Sequence, residues 1–309
     1  MSVNENIRNG NVVAMESKGE GALGSIFWYS IHSEVEVTRE DLSKLFDNIG
    51  IDHSWLPNEI RPSDAFRRTT TEIQKKKVPT KNPNILQNFL TREVYADTKT
   101  VQRNIVVEEV DQSGKRLNYR VDAAIIELDK KNGTFKVIAK DSEELAKELA
   151  HQSKHKFERY MRFYSSQQLR VMVSKYLSSL APTAVRPNGG VYFVPASFTN
   201  ELKMLQQLCT DLHSEGVVIP LYDTSDNRDM VLKKLENEFM QALARCQELE
   251  NMDVPKKKIQ DAIEDAKRVA NTYKNYRDNI SLHVESLEDQ LDDLRASAMA
   301  LTNKYVNRK

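Results

Sequence analysis

The longest regular pattern of hydrophobic positions lies in the last quarter of the chain. From Ile259, residues recur at 4-3 spacing: Ile259, Ile263, Ala266, Ala270, Tyr273, Ile280, Val284, Leu287, Leu291, Leu294, Ala298, Leu301 and Tyr305. Arg277 alone breaks the seam. A 3.5-residue apolar repeat kept this long predicts a helix of about 70 Å that needs a coiled-coil partner. A second seam precedes it: Leu232, Leu235, Phe239, Ala242, Cys246 and Leu249. The break between them, Asn251-Met252-Asp253-Val254-Pro255, places Pro255 where it opens the next helix. Helices joined so closely run antiparallel. The upstream helix is about half as long as the downstream one, so part of the long seam needs another cover. A second copy of the chain is the favoured cover, because extended apolar stripes are rare on monomers. The alternative is a long helix folded back on its own head. An interface between copies would use Ile280, Val284, Leu287, Leu291, Leu294 and Leu301.

Upstream the period changes. Residues 1–24 have no apolar period and read as a flexible arm. The strand-like Ile26–Ile31 follows, then a helix over Arg39–Ile49 with Thr38 as N-cap and Gly50 as stop. A helical turn near Ser54–Leu56 and a helix from Pro62 or Ser63 to about Lys76 complete a small cluster. Between about Thr91 and Lys140 the pattern alternates with period two. Strands are predicted over Ile105–Val110, Arg116–Leu128 and Phe135–Ala139, with Tyr95–Val101 a further candidate. Gln112-Ser113-Gly114 and Lys131-Asn132-Gly133 supply the hairpin turns. Ser142–Leu180 reads as one long or two consecutive amphipathic helices. Strand Val191–Val194, helix Asn200–His213 and strand Val217–Leu221 then predict a right-handed crossover joining parallel strands. Asp223, Ser225 or Asp226 is expected to cap the helix that follows. The fold class is thus α+β. A mixed α/β head over 25–225, with an antiparallel meander, a β-α-β unit and helices, precedes a long antiparallel coiled-coil helical hairpin over 226–309.

Bulk properties narrow the classes without choosing among them. The composition is 39% hydrophobic and 29% charged, with 45 basic and 45 acidic residues, so net charge argues for neither nucleic acid nor membrane. Locally, charge is uneven: Arg61–Lys81 holds seven basic and two acidic residues. Cys209 and Cys246 fall on apolar helix faces and read as buried thiols of a reducing compartment. With no spanning apolar run and no secretory signal pattern, the expected location is cytoplasmic, in a host cell if phage-encoded, with no membrane partner.

Candidate chemistry is sparse. Gly19-Glu20-Gly21-Ala22-Leu23-Gly24 has the spacing of a dinucleotide fingerprint but lacks the strand before and helix after that would aim a helix N-terminus at phosphate. Asp111, Asp122, Glu127, Asp129 and Lys131 resemble a nuclease pattern, yet Lys131 falls in a turn, and hairpin-edge charge is the ordinary reading. His151 and His155 share a helix face with Glu148 and Glu158, but a di-iron site would need a second such motif. No cofactor or metal is expected. A basic helix carrying Arg67, Arg68, Lys75, Lys76 and Lys77, with Arg61 before it, suits phosphate contact. Arg61 and Arg186 each precede a proline and would join it if they cluster.

Four stretches carry a family resemblance: Phe27-Trp28-Tyr29-Ser30, Ile60–Arg68, Val185–Pro195 and Ile219-Pro220-Leu221-Tyr222-Asp223. Over residues 25–225 the chain resembles a functionally uncharacterised family carried by bacterial and archaeal phages, plasmids and related mobile elements. The resemblance implies that setting and supplies no reaction. The leading functional expectation is a non-enzymatic, self-associating interaction protein with a structural, host-takeover or defence-countering role. Its partners would be further copies of itself and a host or phage protein. The second is a nucleic-acid-binding protein acting through residues 61–77. The third is a hydrolase or nuclease whose site is assembled from scattered residues.

Overall fold

A computed structural model describes residues 21–139, 144–187, 189–280 and 285–306. The fold is mixed α+β, in two compact units that are not continuous in sequence. One contains Glu36–Leu42 and Pro57–Ser165; the other contains the described part of Met1–Val35, Ser43–Leu56 and the chain from Ser166. The boundary expected at residue 225 is therefore not where the chain divides. The C-terminal helices cluster with the first strand and with the segment from Ser166.

The unit containing 57–165 is built on the meander. Five antiparallel strands, β3 (Lys75–Pro79), β4 (Ile85–Ala96), β5 (Thr100–Asp111), β6 (Arg116–Asp129) and β7 (Thr134–Ala139), pair in chain order. Tyr95–Val101 is a hairpin and not a strand. Asp97 accepts from the Lys99 and Thr100 amides at 2.8 and 2.6 Å, which turns the chain between β4 and β5. Helices α2 (Pro62–Glu72) and α3 (Glu144–Arg162) cover one sheet face. There Phe66, Phe89, Ile105, Val107, Ile126, Leu128, Leu149 and Phe157 form the core. A two-stranded ribbon of β2 (Glu36–Thr38) and β8 (Phe163–Ser165) separates α3 from α4 (Ser166–Ser178), so Ser142–Leu180 is not one helix. Helix α1 (Arg39–Ile49) starts on the expected cap, the Asp41 amide donating to Thr38 Oγ1 at 3.1 Å. It stops at Gly50, whose φ of 86° favours glycine.

The other unit contains a four-stranded sheet in the order β11 (Glu215–Tyr222), β1 (Ala22–Ser30), β10 (Tyr192–Pro195) and β9 (Thr183–Ala184). Strands β10 and β11 are both antiparallel to β1. They are therefore parallel to each other, as expected, with α5 (Thr199–Asp211) between them in sequence. They are not neighbours, because β1 lies between them and makes the unit a split β-α-β. Strand β1 begins at Ala22, inside the stretch read as an arm. Gly24 lies within it where the register shifts, and a Cβ there would sit 2.2 Å from the Val194 carbonyl oxygen. The glycine thus serves close backbone approach and not phosphate. Gly19 lies outside the described residues.

The C-terminal helices are three and not two: α6 (Ser225–Asn251), α7 (Lys256–Ile280) and α8 (Glu285–Val306). Each packs against the other two. The helix expected to run unbroken from Ile259 to Tyr305 is instead two helices, with α8 packed back against α7. The Lys304 ammonium near the end of α8 reaches the Leu249, Glu250 and Met252 carbonyls at the end of α6, each at 2.7 Å. Those are the carbonyls a helix C-terminus leaves unpaired. The cap of α6 is Thr224, which accepts from the Asn227 amide at 3.2 Å; Asp223 instead pairs with Arg228 at 2.5 Å.

Candidate functional site

The residues expected at an interface between copies are covered by their own chain. Leu287, Leu291, Leu294 and Leu301 are 0%, 2%, 1% and 0% exposed. They share one core with Val231, Leu235, Phe239, Cys246, Ile259 and Tyr273. The coiled-coil interface is corrected on this point: the seam is satisfied inside a three-helix bundle. Val284 and the Ile280 side chain lie outside the described residues.

The basic residues are dispersed. Arg61 and Arg67 both pair with Asp64, at 2.7 and 3.0 Å. Arg68 pairs with Glu72 at 2.9 Å and lies 3.9 Å over the Tyr160 ring. Lys75, Lys76 and Lys77 are not on this helix. Helix α2 ends at Glu72 and the three lysines form the exposed edge strand β3. No described carboxylate pairs with their ammonium groups, and the Lys77 amide donates to Asn88 Oδ1 at 2.9 Å. Arg186 is exposed in the other unit, in the segment between β9 (Thr183–Ala184) and β10. A single helix face carrying all seven cations does not exist.

Glu72 is held by three side chains of this unit. It accepts from the Tyr160 hydroxyl and pairs with Arg68 and with Lys156, the latter at 3.3 Å. Partial burial works to raise its carboxyl pKa, but the Tyr160, Arg68 and Lys156 bonds outweigh it and hold the group below the ordinary glutamate range. Burial, and then the Glu72 acceptor, raise the Tyr160 phenol. Asp111 and Asp129 cap turns. Asp111 accepts from the Ser113 and Lys115 amides, and Asp129 from the Lys131 and Asn132 amides, at 2.9 to 3.0 Å. The Ser113 hydroxyl, then these amides, depress Asp111; the Asn132 amide, with its side chain and the Lys131 amide, depresses Asp129. Of the nuclease-like set, Asp111 and Asp129 are therefore turn caps and Lys131 lies in a turn, whereas Asp122 and Glu127 lie on β6. His151 and His155 are exposed, and among the described residues no group of histidines, cysteines and acids has metal-binding geometry.

In the unit containing β1, a cleft of about 460 Å³ is lined by Ser178, Ser179, Arg268, Asn271, Lys274 and Asn275, among others. Arg268 is already held by Glu238 at 3.2 Å and Asp265 at 3.0 Å. The same Glu238 accepts from the Ala184 amide at 2.7 Å. The buried Tyr276 hydroxyl donates toward the Ala181 carbonyl at 3.0 Å and lies 2.9 Å from Thr183 Oγ1; burial raises its pKa. This network ties the bundle to β9 and includes Arg268 of the cleft lining.

The feature that sequence reasoning missed is the second face of the five-stranded sheet. Directly paired residues share a face. Asn104, Ile125 and Ile138 therefore lie together, as do Glu108 and Tyr119, and Leu90 and Val106. Tyr119 is 37% and Ile138 54% exposed, with Val121 beside them at 56%. Arg116 bridges this face, pairing with Glu108 at 2.9 Å and stacking 4.9 Å over Tyr119. Leu90, Asn104, Val106 and Glu108 on β4 and β5 are buried, so the apolar exposure of this face lies on β6 and β7, where a solvated antiparallel sheet is normally polar. The signal was present in β6, where Tyr119, Val121 and Ile125 alternate out of phase with the core residues Ala124, Ile126 and Leu128.

Among the described residues no helix is long and apolar enough to cross a membrane. Compared with known proteins, the chain matches no curated protein and no solved structure. A family model extends over residues 22–307, from the first residue of β1 past the last described helix, and the chain belongs to that family, described as a family of unknown function (DUF6744).

Proposed function

We propose that the protein is a non-enzymatic, self-associating interaction protein, and that the mobile-element setting implied by the sequence resemblance is where it acts. The observation that carries the reading is the partly apolar open face of the five-stranded sheet, with Tyr119, Val121 and Ile138 in solvent. Apolar surface on the side of a sheet that its own helices leave bare gains free energy when a partner covers it. Lys136 lies opposite Glu127 on this face, and Arg116 is paired with the buried Glu108, so it is not a surface of one sign. Mixed charge around an apolar centre suits a protein partner better than a polyanion. Light scattering across a concentration series tests the reading. A mass that rises to a dimer or larger supports it, and a monomer at every concentration rejects it.

A second reading rests on Lys75, Lys76 and Lys77, three consecutive exposed cations without a described carboxylate partner. They suit nucleic-acid phosphate, and binding through them would weaken steeply with salt. Fluorescence anisotropy with a labelled oligonucleotide, for the native chain and for Lys75→Glu/Lys76→Glu, decides it. Affinity that is absent, or insensitive to both salt and the substitutions, removes this reading.

A further inference from the structure

The two edges of the five-stranded sheet are built differently. Strand β3 carries three successive lysines, a register shift between Lys75 and Val78, a residue at φ 57° in Lys77, and Pro79 at its end. Lysines, bulges and prolines are the means by which a sheet edge is kept from recruiting another strand. The opposite edge has almost none of them. Strand β7 pairs with β6 without interruption from Thr134 opposite Asp129 to Ala139 opposite Ala124. It contains no proline and one lysine, Lys136. No described strand pairs with its outer side. Its exposed residues, Thr134, Lys136 and Ile138, lie on the open face; Phe135 and Val137 lie on the helix side, where Phe135 stacks on Phe157 at 4.7 Å.

We propose that β7 is the pairing edge of this protein and that its occupant is β7 of a second copy, antiparallel and centred on Val137. The inference rests on the self-association reading above and says where that association occurs. The strand is complementary to itself in this register. Val137 faces Val137, Phe135 of one copy faces Ala139 of the other, and Lys136 faces Ile138. A large side chain meets a small one on the helix side, and no like charges are opposed. Centring the pair on Lys136 would set lysine against lysine. Shifting it by half a step would turn core positions of one copy toward the open face of the other. A two-fold axis through Val137 keeps the helix-covered faces on one side. On the other side it sets the Ile138 residues of the two copies on a diagonal, each directly opposite the other copy's Lys136. Edge pairing over so short a strand buries less than a standard interface, so association in the micromolar range is expected.

The register makes a charge-specific prediction. Ile138→Lys puts lysine opposite Lys136 twice per dimer, whereas Ile138→Glu puts a carboxylate there. Sedimentation of the full chain should show dimerisation weakened about tenfold or more by the lysine and kept or strengthened by the glutamate. Ile138 is exposed, so neither change enters the core. Amide exchange of the unsubstituted chain is the companion measurement, with protection of residues 134–139 expected to rise with concentration. A dimer indifferent to both substitutions, with unchanged exchange at 134–139, overturns β7 pairing and leaves self-association standing. Equal weakening by lysine and glutamate overturns the register. A monomer throughout overturns both.

Discussion

The Tyr273 hydroxyl lies 2.9 Å from Glu288 Oε1, fifteen residues further along the chain. On a continuous helix those residues would be about 22 Å apart along the axis. The contact requires α7 and α8 to lie side by side, and Arg277, the polar residue on the seam, meets the same Glu288 at 3.2 Å. What looked like a flaw in a coiled-coil stripe is a point of closure between two antiparallel helices. The leucines beyond it are therefore core residues of one chain.

Leu291→Ala should then behave as a core truncation. The expected cost is about 2–5 kcal/mol, read as a lower denaturant midpoint at one fixed protein concentration, with the self-association of the folded variant unchanged. Loss of self-association in the folded variant would return these leucines to an interface between copies.

Gly24 and Gly21 form a matched pair for testing the β1 insertion. A Cβ on Gly24 meets the Val194 carbonyl oxygen and the Phe193 ring, whereas one on Gly21 meets nothing within 4 Å. Gly24→Ala should destabilise by about 1–3 kcal/mol, the usual cost of overpacking. Gly21→Ala should be close to neutral. Equal melting temperatures for the two would show that β1 does not approach β10 this closely.

The Glu72 cluster predicts a pH dependence with a definite sign. A carboxyl depressed in the folded state contributes stability that is fully present above its unfolded pKa, about 4.3 for glutamate, and is lost as pH falls through its lower folded value. Glu72→Gln should therefore remove part of the stability at neutral pH and flatten the stability profile on the acid side. Tyr160→Phe should do the same to a smaller degree, since Arg68 and Lys156 remain. Urea midpoints measured from neutral pH down to acid denaturation check both, and parallel profiles for all three proteins would refute the assignment.

Both thiols should be silent in the native protein. Cys209 is fully buried, and burial pushes its pKa up to about 12; Cys246 is also buried and raised. Because the thiolate is the reactive form, a thiol reagent at mildly alkaline pH should titrate neither until denaturant is added. Rapid labelling of the folded chain would place at least one of them at the surface.

Much of the local architecture was legible in the residues themselves. Thr38 and Gly50 bound α1, Gly114 and Gly133 mark hairpin turns at positive φ, and Pro255 opens α7, because caps and turns depend on backbone geometry within a few residues. The apolar seams of α6, α7 and α8 were legible for the same reason, since helical period needs only the helix. What the period names is a buried face, never the element that buries it. Ala262, Val269 and Tyr276 form a second stripe beside Ile259, Ala266 and Tyr273. That stripe was the available sign that α7 touches more than one neighbour.

The chain's own order of residues determined which segments become helices and strands, where they start and turn, and which sides are apolar. Only the tertiary structure decided that β1 enters between β10 and β11, that α8 packs back against α7, and that the segment from Ser166 clusters with the N-terminal strand. Those outcomes depend on contacts between residues far apart in sequence. Such contacts are selected by the free energy of the whole packed core, and a local pattern of hydrophobic and polar positions is compatible with several of them.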